Sequence, residues 1–117
     1  MRVNEITFTD AKPVEGYGPG FFRIGGEVIE GPALAGPMGT GPWGGYDDAA
    51  ALVALADHID VLFLGTGADI GHIPEGLRSA LETAGIGVEV MSSPAAARTY
   101  NVLLSEGRRI ALAVMPV

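Results

Sequence analysis

Four consecutive apolar residues, Val61-Leu62-Phe63-Leu64, run directly into Gly65-Thr66-Gly67. The run does not alternate with polar residues. Both of its faces are therefore expected to be covered, as in a strand of a parallel sheet. Beyond Gly67 the chain keeps to a regular order of elements. Ile73-Pro74 opens a helix with proline at its first position; Leu77, Leu81 and Ala84 form its inner face, and Gly85 stops it. Val88 to Met91 is a strand. Ser93-Pro94 opens a further helix that reaches about Glu106, with Ala96, Tyr100, Leu103 and Leu104 as its core stripe and Gly107 as its stop. Ile110 to Met115 is a last apolar strand. Strand, helix, strand, helix, strand in this order requires parallel strands joined by right-handed crossovers.

The sequence before residue 61 is less regular. Val3 to Phe8 alternates loosely and predicts a short strand, and Asp10 to Gly20 reads as a loop. Phe21–Ile24 and Glu27–Glu30 meet across Gly25-Gly26, a hairpin signal that pairs Phe22 with Ile29 and Arg23 with Val28. Phe22, Ile24 and Ile29 then share a core face. Gly31 to Gly45 is too rich in Gly and Pro for a long regular element, although Ala33-Leu34-Ala35 fits an edge strand bounded by Pro32 and Pro37. Asp47 and Asp48 open a helix with Leu52, Leu55, Ala56 and Ile59 at helical spacing and His58 at its end. The expectation is an α/β fold in three layers: a single domain over 1–117 with a mixed sheet, a C-terminal βαβαβ unit and an N-terminal β-hairpin that adds antiparallel strands either to the same sheet or as a second small layer.

Length and charge narrow the function. A chain of 117 residues can bury an ordinary core. It has no Cys, which excludes disulfides, thiolate metal sites and Cys nucleophiles. Its net charge of -7 argues against nucleic acid and anionic membrane surfaces as partners, since both are held by clustered Lys and Arg. Arg108-Arg109 is the only adjacent basic pair, placed to complement a helix C-terminus. No signal peptide or membrane-spanning run is apparent, so no membrane insertion is expected and the cytoplasm is the default compartment.

Parallel strands bring the ends of Leu64 and Met91 to one sheet edge, where ligands bind in open α/β sheets. Gly65, Thr66 and Gly67 lie there, near Arg98, Thr99 and Asn101 on the following helix. Together they can frame a small polar pocket for a carboxylate or phosphate. The structural alternative is that the glycines only turn the chain and that Arg98 and Asn101 brace a loop. Ile70 stands where a dinucleotide-binding pattern needs its third Gly, and Met38-Gly39-Thr40-Gly41 lacks the Lys of a phosphate loop. Asp69 and His72 form a conceivable acid–base pair with no nucleophile beside them. Two His and scattered carboxylates do not make a metal site. The sole Trp, Trp43, is either a partner anchor or a plug that pins its loop to the core. No catalytic residues and no cofactor are implied.

Leu64-Gly65-Thr66-Gly67, Pro74, Gly85-Ile86-Gly87-Val88-Glu89-Val90-Met91 and the run from Arg98 to Arg109 resemble the Mth-type domain family. The strong match covers residues 61–117; the Phe21–Gly31 hairpin and Pro42-Trp43 match more loosely. That family includes bacterial proteins of unknown function, mitochondrial complex I assembly factor 3 and the adipogenesis-associated Mth-domain protein. The resemblance implies a compact α/β domain with a mixed sheet and no established enzymatic activity. It also implies a protein partner, with a role in respiratory complex assembly. Relatives often carry a basic residue after Gly-Thr-Gly, where this chain has Ala68-Asp69-Ile70-Gly71-His72, and a Cys before the Arg, where it has Ala97.

Overall fold

The computed structural model describes residues 11–117, and the strand expected over residues 3–8 lies outside them. The strands are β1 (Val14–Gly18), β2 (Phe21–Ile24), β3 (Glu27–Glu30), β4 (Ala33–Gly36), β5 (Gly39–Pro42), β6 (Val61–Gly65), β7 (Gly87–Met91) and β8 (Ile110–Val114). The helices are α1 (Ala49–Val53), α2 (Glu75–Thr83) and α3 (Ser93–Ser105). Two sheets form, one of order β1-β2-β3 and one of order β5-β4-β8-β6-β7. In the larger sheet β6 is parallel to both β7 and β8, and β4 is antiparallel to β8 and β5. The C-terminal βαβαβ unit therefore forms as its apolar pattern requires, and the hairpin before it adds a second sheet rather than more strands of the first.

Alternation along the central strands divides the core. Phe63, Leu112, Val114, Ala33 and Ala35 face one side, where they meet Ala96 and Tyr100 of α3 and Phe22, Ile24 and Ile29 of the small sheet. Leu62, Leu64, Ala111 and Ala113 face the other, against Leu52, Leu55, Leu77, Leu81 and Trp43. All five residues of β8 are buried, which a strand achieves only when both of its faces are covered. The result is three layers: α3 with the small sheet, the mixed sheet, and α1 with α2. The hairpin register is the expected one, with Phe22 opposite Ile29 and Arg23 opposite Val28.

Three local expectations are corrected. Val14–Gly18, inside the stretch read as a loop, is the strand β1, held to β2 across a bulge between Val14 and Gly16. Gly31–Gly45 contains two strands, and Ala33–Ala35 is interior rather than edge, because β4 lies between β5 and β8. Small side chains allow this close packing: Ala33 and Ala35 are fully buried, and a Cβ on Gly36 would lie 3.0 Å from Ala111 Cβ. Finally, the helix opened by Asp48 is short. Asp48 Oδ1 accepts from Ala51 N–H at 3.3 Å, but α1 ends at Val53 and turns follow, so exposed His58 is not on a helix terminus. Leu52, Leu55 and Ile59 are nonetheless buried as their spacing suggests.

Tyr100 ties α3 to the chain entering β1. Its ring is fully buried and its hydroxyl donates to Lys12 O at 2.7 Å. Burial raises the phenol pKa above its ordinary 10.0. The stability gained by keeping this group neutral is fully present below the ordinary value. It is lost as pH rises beyond that value, where the unfolded chain ionises and the folded one resists. Tyr100→Phe is expected to cost about 1 kcal/mol at neutral pH through the lost hydrogen bond. It should also reduce the further loss seen at about pH 11, as urea unfolding at the two pH values would show. An equal alkaline loss in both proteins would contradict this.

Candidate functional site

The turn after β6 is built into the start of α3. Gly65 is buried, and Gly67 adopts φ 108°, a conformation that favours glycine. Ser93, the first residue of α3, is fully buried and joins three segments. Its N–H donates to Gly67 O at 2.7 Å. Its Oγ accepts from Gly67 N–H at 2.9 Å and donates to Met115 O at 2.6 Å. Thr66 N–H donates to Met91 O at 2.9 Å, and Thr66 Oγ1 accepts from Gly71 N–H at 2.9 Å. The same hydroxyl lies 2.8 Å from Asp69 O and 3.2 Å from Met91 O, so its one proton serves both carbonyls. Thr66 thus braces the loop beyond it.

This arrangement leaves the expected anion pocket without free donors at its glycine end. The N–H groups of Thr66 and Gly67 are engaged within the protein. In the first turn of α3, Ser93 N–H is bonded to Gly67 O and Pro94 has no N–H. Ala95 N–H donates to Ser92 Oγ at 3.4 Å, and Ala96 N–H to Ser92 O at 2.9 Å. Ser92, not Ser93, is the cap. An anion at a helix start needs open N–H groups, and the residues from Ser93 to Ala96 offer none.

Arg98 and Asn101 do come together, one turn apart on α3, but they face β1 rather than Thr66. With Val14, Gly16 and Tyr17 of β1 and Ala97 of α3 they line an open cleft of about 290 Å³. Asn101 Oδ1 accepts from Val14 N–H and Asn101 Nδ2 donates to Val14 O, both at 2.8 Å. A side-chain amide here does what a neighbouring strand would do, and it docks the small sheet on α3. Glu15 also borders the cleft, but its Oε1 accepts from Gly26 N–H at 2.7 Å in the β2–β3 turn. Arg98 is exposed. The ion pairs among the described residues are Arg78–Glu82 at 3.8 Å and Arg109–Asp60 at 3.7 Å, so Arg98 enters none. Thr99 points elsewhere, its Oγ1 3.7 Å from Met91 Sδ.

Trp43, read as either a partner anchor or a plug for its loop, is only 3% exposed. Its indole N–H donates to Asp48 O at 3.1 Å, and its ring meets Tyr46 edge-on at 6.2 Å. The side chain anchors its loop from inside and does not present its ring to a partner. Asp69 and His72 are both exposed, with no hydrogen bond between their side chains. Among the described residues no three His, Asp or Glu side chains are grouped to hold a metal ion, and no helix is long and apolar enough to cross a membrane. Two features escaped the sequence. Tyr17, 46% exposed on the cleft rim, was hidden by the Gly and Pro around β1. The joining role of Ser93 was hidden by its resemblance to an ordinary cap.

Fold and cleft define an α/β domain with a mixed five-stranded sheet, a second small sheet and an open groove between β1 and α3. The chain belongs to the family described as "Protein of unknown function (DUF498/DUF598)", whose model matches residues 14–115. It is 52% identical over 117 residues to an uncharacterized protein of Rhodobacter capsulatus, covering 100% of this chain and 94% of that one. It is 35% identical over 107 residues to NADH dehydrogenase [ubiquinone] 1 alpha subcomplex assembly factor 3 of Danio rerio, a match of 86% of this chain. The chain spans 62% of that assembly factor's length. Among solved structures it is similar to one described as an outer membrane protein from Bartonella henselae, with a TM-score of 0.83, 34% identity, and 94% and 98% of the two chains covered. It is also similar to a Mth938-like domain from Bordetella pertussis, with a TM-score of 0.73, 26% identity, and 99% and 92% covered. The resemblance read from the C-terminal half thus extends over nearly the whole chain.

Proposed function

We propose that this chain is a non-catalytic protein-interaction module that assists assembly of a respiratory complex of the complex I type. The observation that carries the reading is the 35% identity to a complex I assembly factor over 86% of this chain. The geometry is consistent with it. The cleft is an open groove beside a strand, Arg98 stands in it with no ionic partner among the described residues, and the tight turn that offered an anion pocket is closed by the protein's own hydrogen bonds. On this reading the protein works in the cytoplasm, at the surface of a membrane complex and not within the bilayer. Its partners are protein subunits rather than nucleic acid, in keeping with the net charge of -7.

The test is affinity purification of the tagged protein from its native cells, wild type beside Arg98→Ala. Recovery of respiratory-complex subunits with the wild type, and roughly tenfold less with the variant, is the expected outcome. Recovery of no protein, with a small anionic molecule retained in native mass spectrometry, would overturn the assembly reading in favour of a ligand-binding one.

A further inference from the structure

β1 ends the small sheet, so one side of it has no neighbouring strand among the described residues. Edges of this kind invite pairing with another chain and are usually blunted by charged side chains, Pro, a β-bulge or a covering element. Among the described residues only Val14 is covered, through the side chain of Asn101, and the bulge between Val14 and Gly16 interrupts only the start of the strand. From Glu15 to Gly18 the strand carries neither Lys nor Pro. Two of those residues are glycines, and Gly16 has nothing within 4 Å of the place a Cβ would take. The strand therefore leaves room along the groove that α3 borders. Glu15 is directed to Gly26 N–H, which leaves Arg98 as the charged side chain of the groove with no ionic partner among the described residues.

We infer that the groove between β1 and α3 receives an extended acidic segment of a partner protein. That segment adds as a strand to the free edge of β1, with a carboxylate on Arg98. Main-chain hydrogen bonds would supply affinity without sequence demand, and the guanidinium would select for Asp or Glu. Asn101 sets the end of the groove, because it already occupies the donor and acceptor of Val14. Tyr17 on the rim gives the incoming segment an aromatic surface to pack against. The occupant is a partner rather than a second copy: two copies would each bring a charge of -7 to the contact. This inference rests on the interaction reading above and names the kind of segment that the same site would take.

The probe is a displayed library of random twelve-residue peptides, selected in parallel on the wild type, Arg98→Gln and Arg98→Glu. Arg98 is exposed, so all three should fold, which their amide NMR spectra would verify. Peptides enriched on the wild type should be rich in Asp and Glu and bind Arg98→Glu about tenfold more weakly. They should slow amide exchange from Glu15 to Gly18. Arg98→Glu should enrich basic peptides instead. No enrichment, no acidic bias, unchanged affinity for Arg98→Glu, protection at another surface, or a dimer of the free protein in sedimentation would each overturn the inference. If any of these occurs while respiratory subunits still copurify, the assembly reading stands and only the strand-addition mode falls.

Discussion

Gly65→Ala is expected to lower the unfolding free energy by about 3 kcal/mol and the melting temperature by on the order of 10 °C. A Cβ at this position would stand 2.6 Å from both Cα and Oγ of Ser93 and 2.9 Å from Val114 Cγ1. The strand cannot slide aside to relieve this, because Gly65 pairs with Met91 on one side and Val114 on the other. Relief requires lifting the start of α3 off the sheet, which stretches the Ser93 hydrogen bonds as well. Adding Ser93→Ala should not rescue the variant, since the contact with Ser93 Cα is with backbone and persists. Gly76→Ala is the control: Gly76 lies in α2 with nothing within 4 Å of its absent Cβ, and the change should stabilise by about 0.5 kcal/mol or more. Chemical denaturation of the three variants decides the matter. If Gly65→Ala proves as stable as wild type, strand β6 and the start of α3 do not approach each other this closely.

The contrast between these two glycines shows where local sequence stops being informative. Gly85 could be read as a helix stop, and Gly25-Gly26 as a hairpin turn, because those roles depend on neighbours in the chain. All three adopt positive φ in the structure. The role of Gly65 depends on Ser93 and Val114, which reach it only through the fold. The same division holds for the site. Helical spacing placed Arg98 and Asn101 on one face of α3, and they do share a cleft. What that face meets was not legible, because Asn101 and Val14 are 87 residues apart and the strand carrying Val14 is masked by Pro13, Gly16, Gly18 and Pro19. Gly and Pro content led β1 and β5 to be read as loop, and β4 as an edge strand, for the same reason. In those strands, small residues are selected by close packing and open edges, so they mimic the composition of turns.

Ser93→Ala is expected to cost about 3 kcal/mol, more than its position at the start of a helix would suggest. A helix cap contributes about 1 kcal/mol. The cap of α3 is Ser92, whose bond to Ala95 N–H is long at 3.4 Å, so Ser92→Ala should cost about 1 kcal/mol or less. Ser93 is different in kind. Its buried hydroxyl links the N–H of Gly67 to the carbonyl of Met115, and its removal leaves both without that partner. Each unsatisfied buried group costs roughly 1–3 kcal/mol. Urea unfolding of the two variants separates the roles, and an effect of Ser92→Ala equal to or larger than that of Ser93→Ala would mean that Ser93 is only part of the helix start. The larger effect at Ser93 would mean that one hydroxyl holds the β6 turn, the start of α3 and the exit of β8 in register. The groove that carries Arg98 lies on that same helix, so its position depends on the same bond.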